Sequence, residues 1–358
     1  GRNLNPVHDV LVVGAGPAGT ALAIRLAQAG LQVGLVEREP EAALRPGECL
    51  SPEALPALAA LGHADLLDDS TVARRCCGVQ SIWLTSEPVF RDYFCERAAH
   101  GAFLERRVFD ARLRERAAAL GITREDDVRV THADFADDSI TLGGRRGEHP
   151  WRGQARFVVD ATGKASCIAR LGGARRQRLS RQVAVAARLP RGGSELAGTE
   201  WLLIEADAQC WWSGATTASG QRHLVRFFPG GDGQRTAPQL AEQLQRTRLM
   251  QRYAGADELA AAQVQVLDAG CSALQRCASA HWLAVGEAAI AFDPVSSQGL
   301  THALGATDLA ARAILARLQQ GRLDLLHQYD RHTRITLGHS LKGLARHYAQ
   351  CQPLMAAG

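Results

Sequence analysis

Lysine is nearly missing from this chain. Of 41 basic residues only Lys164 and Lys342 are lysines, leaving 41 − 2 = 39 arginines. No run of apolar residues approaches the ~18 to 20 that cross a bilayer, so no membrane span is expected. Clean apolar stretches such as Val10–Val13 are strand-sized. The opening Gly1–His8 is polar and has no apolar segment of its own, so no signal peptide is expected and the cytoplasm is the expected compartment. There is no basic stripe with interleaved aromatics, which argues against a nucleic-acid partner. The nine cysteines are odd in number and contain no CxxC pair. That pattern fits a reduced compartment and excludes a structural zinc site, while one disulfide remains open.

What is present is a globular composition. The 358 residues are 46% hydrophobic and 22% charged, with a formal net charge of +4. A chain of this length exceeds one comfortable core and predicts one large or two interleaved domains.

Asp9–Val13 reads as a buried strand, followed by Gly14-Ala15-Gly16-Pro17-Ala18-Gly19, an Ala/Leu-rich helix to Ala29 and a second strand Gln32–Val36 ending at Glu37. Short apolar strands around a helix predict a parallel sheet covered on both faces. Further signals predict a helix from Ser51-Pro52-Glu53 to Leu61, strands within 76–99 and a helix Phe109–Leu120. A hairpin Val128–Phe135/Ser139–Leu142 and a strand Phe157–Asp160 follow. From Gln182 to Phe228, strand-like runs separated by Gly, Ser and Asp predict an antiparallel meander. Helical pattern returns over 236–253, Leu300–Gln320 and Leu323 to about Gln350, with a strand Trp282–Val285 between. The expected fold is α/β: a Rossmann-like domain (1–75, 100–175 and 278–320) interleaved with a mostly antiparallel substrate domain (76–99 and 176–277). A C-terminal helical segment spans 321–358.

The Gly14–Gly19 loop carries the first chemistry. Gly14 permits a tight turn, Gly16 lets the backbone approach a pyrophosphate, and Gly19 lets helix and strand pack closely; Pro17 and Ala18 open the helix whose positive end meets the phosphate. Glu37, eighteen residues after Gly19, ends the second strand and can accept bonds from a ribose diol. Strand, glycine loop, helix, strand and acid together predict a bound dinucleotide. Arg38 beside Glu37 is a further cofactor candidate or a solvated surface charge.

A second motif sits far along the chain. Trp282–Leu300 places Gly286-Glu287 after a strand, then Asp293-Pro294, then Gln298-Gly299-Leu300 before a helix. With the Gly14–Gly19 loop this resembles the flavoprotein superfamily of FAD-dependent aromatic hydroxylases, geranylgeranyl reductases and halogenases. The resemblance implies FAD, with Glu287 standing where the family has Asp at the ribityl chain. It also implies a later helix aimed at the flavin pyrimidine. Arg45-Pro46-Gly47-Glu48 is similar to the family's R-x-G-E segment over the flavin. Arg106 to Asp110 matches R-x-x-F-D, and Asp160-Ala161-Thr162-Gly163 matches the D-A-S/T-G turn. No second glycine fingerprint exists, so NAD(P)H is expected as a transient reductant or through a separate flavin reductase.

Cys210-Trp211-Trp212-Ser213-Gly214-Ala215 resembles a segment of a halogenase-like subgroup that modifies tryptophan during quinone-cofactor maturation (LodB-, GoxB- and QhpG-like). The resemblance implies a monooxygenase that hydroxylates an electron-rich aromatic substrate through a flavin C4a-hydroperoxide. That substrate would be an aromatic small molecule or a tryptophan of a partner peptide or protein. The two tryptophans point to opposite faces of a strand, so only one can line a cavity. Both packing the sheet is an equally good reading. Halogenating relatives carry a lysine between the R-x-G-E and R-x-x-F-D segments, and here residues 48–106 hold none. Halogenation is therefore disfavoured; a C=C (prenyl) reductase and a non-catalytic flavin-binding module remain the alternatives. No residue stands out as catalytic in a chemistry carried by flavin. Trp211, His302 and Cys49 are the candidates, the last two having structural readings that compete strongly. No histidine shows metal-ligand spacing.

Overall fold

A computed structural model describes residues 7–39, 48–83, 86–207, 210–231, 233, 235–294 and 298–356. Arg45, Pro46 and Gly47 lie outside these residues, and for Glu48 the backbone alone is described.

The strand His8–Val13 is apolar over its last four positions because it lies inside a mixed seven-stranded sheet. Val33–Val36 runs parallel on one side, with Val10 opposite Val33, and His149–Asp160 runs parallel on the other, with Val10 opposite Phe157. Thr123–Glu125 extends the sheet beyond Val33–Val36, and Trp282–Ala284 pairs in parallel with Val158–Asp160. The His149–Asp160 strand has two partners in succession. Its first half joins Ser139–Arg146 and Val128–Ala136 in an antiparallel ribbon, and its second half enters the parallel sheet. The helix Pro17–Gln28 packs against Arg106–Ala119 and Thr307–Gln320, covering apolar sheet side chains in a core that includes Leu22, Ile24, Phe109 and Ile314.

A second seven-stranded sheet takes residues from two separated stretches, Gly78–Asp92 and Gln182–Asp268. Trp201–Ala206, Trp211–Thr216 and Arg222–Pro229 form the expected meander. Gln182–Leu189 does not join it in sequence order; it pairs with the far side of Arg222–Pro229. The loop between Leu189 and Trp201, with positive-φ turns at Gly192 and Gly193, carries the chain across. One face of this sheet buries Trp212, Leu203 and Leu224 against the helix Ala237–Leu244 and the turns after it. Glu205 fixes that packing, since its buried carboxylate accepts the backbone N–H groups of Arg248, Leu249 and Met250 at 2.7–2.9 Å.

Three expected elements differ in detail. Residues 76–99 include a short helix, Tyr93–Arg97, because the Asp92 carboxylate caps it through Phe94 and Cys95 N–H. The helix expected over 300–320 is two helices, Gly299–Gly305 and Thr307–Gln320, with Ala306 between. The helical stretch expected over 236–253 is Ala237–Leu244 and a single turn at Met250–Arg252, with a further helix Ala256–Ala260 beyond it. The terminal helix, Asp324–Ala356, docks early through Tyr329, whose buried hydroxyl donates to the Ala284 carbonyl at 2.5 Å.

Candidate functional site

The glycine loop shows a division of labour among its glycines. A Cβ on Gly14, whose φ is +110°, would lie 2.0 Å from the Ala161 carbonyl oxygen, and one on Gly19 would lie 2.4 Å from the Gly14 oxygen. Those two glycines are demanded by backbone packing. A Cβ on Gly16 would meet nothing within 4 Å. It would project into open space at the start of the helix Pro17–Gln28, whose first turn has no side-chain cap. An uncapped helix start beside a bare glycine is an anion-binding geometry. Glu37 closes the loop from the next strand, its carboxylate accepting Ala15 N–H at 2.7 Å and Glu39 N–H at 3.0 Å.

The second anchor is built at the end of Trp282–Ala284. Gly286 turns the chain at φ +60°, where a Cβ would press on Ala18 at 2.8 Å, so the two distant motifs touch. The turn is braced from behind. Ser166 Oγ donates to the Ala288 carbonyl at 2.8 Å, and Arg176 donates to Ser166 Oγ at 2.7 Å and to the same carbonyl at 3.1 Å. Desolvation holds the Arg176 guanidinium below its ordinary value, with Glu287 the largest opposing influence. Sequence reading missed Arg176 because it lies in no motif and reaches the turn through tertiary packing.

A single continuous cavity of about 1200 Å³ joins these parts. That exceeds the roughly 300–1,000 Å³ of an ordinary small-molecule pocket. Gly14, Gly16, Pro17, Ala18, Gly19, Glu37 and Arg38 line one end, and Arg106 and Gly163 line the middle. Gly286, Glu287, Pro294, Gln298, Gly299 and Leu300 line the cavity next to Ala18. Arg106 is held by Asp110 one helical turn on, at 3.1 Å. Asp160 lies beneath the wall: fully buried, it accepts Thr162 N–H, Thr162 O–H and Ala169 N–H, and so shapes the turn whose Ala161–Gly163 face the cavity. Burial pushes its carboxyl up against those bonds. Arg124, Arg129 and Thr131 also line the cavity. No sequence motif marks them, since only the order of strands brings them there.

Beyond the second anchor the cavity meets the inner face of the antiparallel sheet at Leu202, Ile204, Trp211, Val225 and Phe227. Trp211 therefore faces the cavity, and Trp212 faces the opposite core. The Trp211 ring stacks on Phe227 with centroids 3.8 Å apart and planes 12° apart, and its Nε1 donates to Gln182 at 3.3 Å. Trp83 lies 5.8 Å from Trp211 and 4.4 Å from His347 of the terminal helix. Cys49 borders the cavity; His302 does not, its ring instead meeting the edge of Phe292 at 5.2 Å. Burial pushes the His302 imidazole down to about 4. Among the described residues no His/Cys/Asp/Glu group could hold a metal ion, and no helix is long and apolar enough to cross a membrane.

The open space at Gly16, the acid at the second strand and a long cavity ending at apolar rings fit an extended dinucleotide carrying a flat ring system. Comparison with known proteins agrees. A family model described as FAD binding domain matches residues 7–337. Digeranylgeranylglycerophospholipid reductase 1 from Methanothermobacter thermautotrophicus is 30% identical over 172 residues, covering 46% of this chain and 41% of that protein. The chain thus spans about four-tenths of the length of the first curated relatives it matches. The p-nitrophenol 4-monooxygenase PnpA from Pseudomonas putida DLL-E4 superposes with a TM-score of 0.81 at 18% identity, over 97% of this chain and 89% of that one. The peptidyl tryptophan dihydroxylase QhpG superposes with a TM-score of 0.73 at 22% identity, over 97% and 76%. At these identities the two structures share the fold. With the family match running through both sheets and into the terminal helix, this chain belongs to the FAD-binding domain family of flavoproteins.

Proposed function

We propose that the protein is an FAD-dependent monooxygenase that hydroxylates an electron-rich aromatic ring, with a tryptophan of a partner peptide or protein as the preferred substrate. The observation that carries this reading is the continuity of the cavity from the dinucleotide cradle to the Trp211–Phe227 stack. FAD held there would supply electron transfer and oxygen activation; the chain supplies the setting. Gly16 and the first turn of Pro17–Gln28 would take the pyrophosphate, and Glu37 the ribose. Arg106 and the Gly286-Glu287 turn would flank the remainder. On the substrate side, Leu202, Ile204 and Val225 exclude water. Trp211, fixed by Gln182 and Phe227 and itself buried, backs this wall and holds its aromatic floor in place. An indole needs little activation, which suits a wall of this composition. Electrons would come from NAD(P)H acting transiently or from a separate reductase.

Lys164, at the cavity wall, donates to the Asp268 backbone carbonyl, and residues 48–106 offer no lysine. Both observations favour hydroxylation over halogenation. A flavin-dependent reductase of a C=C bond is the second reading, supported by the similarity to an archaeal lipid reductase and by the apolar wall. The deciding experiment supplies FAD-loaded protein with a reductant and ¹⁸O₂ beside a panel of phenols, indoles and tryptophan peptides, and in parallel with a reductant and an isoprenoid under anaerobic conditions. Hydroxylation places one labelled oxygen in an aromatic product. Reduction of an isoprenoid double bond without oxygen, and no label in any aromatic product, would replace the first reading with the second.

A further inference from the structure

We propose that Cys49 and Cys76 form a redox-active dithiol in the cavity wall, which reduces hydroperoxide arising in the cavity and closes to a disulfide. The preceding reading is used only for the source of the peroxide, hydrogen peroxide released when reduced flavin meets oxygen without substrate.

The two cysteines are brought together by a small three-stranded sheet, Glu48–Leu50, Gly101–Leu104 and Ala73–Cys76, with Gly101–Leu104 in the middle. Cys49 lies opposite Phe103 and Cys76 opposite Gly101. Residues 101 and 103 share a face of their strand, and paired residues share that face too, so both thiols project to the same side. Gly101 is required by packing beside them, since a Cβ there would lie 2.3 Å from the Leu50 oxygen and 3.1 Å from the Tyr93 ring. The sulfurs accordingly stand 3.2 Å apart, Cys49 donating to Cys76, and neither is in a disulfide. A disulfide is roughly 2.05 Å long, so the sulfurs must approach by about another 1.2 Å, which requires the two outer strands to shift as well as the side chains to rotate.

The pair is also polarised. Cys49 is partly exposed and borders the cavity, whereas Cys76 is fully buried behind it with Tyr93, Phe103 and Leu202. The S–H donated by Cys49 is the largest influence on Cys76 and holds that thiol below its ordinary value, against burial. Cys77 does not compete, because it lies just past the end of the strand and its sulfur meets Glu200 at 3.3 Å.

The chemistry balances as two thiols plus hydrogen peroxide giving one disulfide and two waters. Cys76 first gives its own proton to solvent and accepts the Cys49 S–H as a thiolate. The Cys49 sulfur then attacks one peroxide oxygen as its proton passes to Cys76. An S–O bond forms, the O–O bond breaks, and the departing hydroxide takes that proton from Cys76 to become the first water. The Cys76 thiolate attacks the Cys49 sulfur. The S–S bond forms, the S–O bond breaks, and the leaving hydroxide takes back a proton from solvent as the second water. Sulfur loses two electrons and peroxide gains them.

The test adds hydrogen peroxide directly to the FAD-loaded full chain, then maps peptides without reduction. Because the peroxide is supplied, the result does not depend on whether the flavin hydroxylates anything. The expected result is loss of two hydrogens, about 2 Da, in one cross-linked peptide pair joining Cys49 to Cys76, reversed by dithiothreitol. Cys76→Ser should stop at a Cys49 sulfenic acid trapped by dimedone. Cys49→Ser should slow peroxide consumption at least tenfold, and Cys77→Ser should leave the bridge intact. Absence of the 49–76 bridge in the unmutated chain, or a bridge between other cysteines that persists in Cys49→Ser, overturns the proposal. The mapping of the unmutated chain decides even where a serine variant folds poorly.

Discussion

Tyr348, near the end of the 33-residue terminal helix, donates its hydroxyl to the buried Asp293 carboxylate at 3.1 Å. The helix that begins against the cofactor-side sheet thereby finishes against the loop of the second anchor. Its neighbouring residue His347 packs on Trp83 at the aromatic end. Tyr348→Phe should lower the unfolding free energy by about 1 kcal/mol, the usual worth of one such bond. Limited proteolysis should then cut the terminal helix sooner, while FAD still binds. An unchanged digestion pattern would count against the helix being held at that point.

The glycine loop separates folding from binding. Gly16→Val should leave the circular dichroism and melting temperature nearly unchanged, because the side chain enters open space, yet abolish flavin uptake measured by absorbance. Gly14→Ala should instead cost about 2 kcal/mol or more, since it combines a left-handed backbone with a contact on the Ala161 oxygen. A yellow Gly16→Val protein would remove the cradle from the account.

The paired tryptophans should respond differently. Trp212→Ala empties the core behind the sheet, where the ring also lies under Arg226 at 4.9 Å, and should cost roughly 3–5 kcal/mol. Trp211→Phe keeps the stack on Phe227 and loses the bond to Gln182, so stability should change by about 1 kcal/mol. Its main effect should fall on KM for an aromatic substrate, with FAD affinity unchanged. Equal effects of the two changes on KM would contradict the assignment of Trp211 to the cavity.

Acid should weaken the fold through buried histidines. Burial, with Arg188 adding to it, pushes the His223 imidazole down to about 4 from an ordinary 6.5. Between those values the unfolded chain binds the proton and the folded chain does not. Stability is therefore full above pH 6.5 and falls as pH drops toward 4, by at most roughly 1.4 kcal/mol per pH unit for this group. Urea midpoints from pH 7 to 4.5 should show the slope, and His223→Asn should flatten it. His302, pushed down to about 4 in the same way, should add a second, separable share.

The two glycine-bearing motifs were legible because their residues answer to local demands. Gly14 needs its φ, Gly16 its empty side, and Gly286 its turn, and each demand leaves a letter in the sequence. The same holds for Glu37, placed by the length of a strand–helix–strand unit. Residues chosen by tertiary contact left no such mark. Arg176 braces the second anchor from another strand, Arg129 reaches the cavity because of strand order, and Tyr348 arrives at the end of a long helix. The direction of Trp211 was undecidable from alternation alone, since both faces of its strand are buried and both tryptophans satisfy an apolar pattern. The short helix at Tyr93 was hidden by its aromatics, although Asp92 stood as a usable cap signal.

The double allegiance of His149–Asp160 has a consequence for how the molecule is made. Its far edge is completed only by Trp282–Ala284, which leaves the ribosome after the whole second seven-stranded sheet has been synthesised. During that interval Val158–Asp160 present an unpaired strand edge, and the turn at Gly286 does not yet exist. The nascent chain should therefore acquire its coenzyme late, as a final rivet, and a chain halted before Trp282 should be prone to clumping through that bare edge.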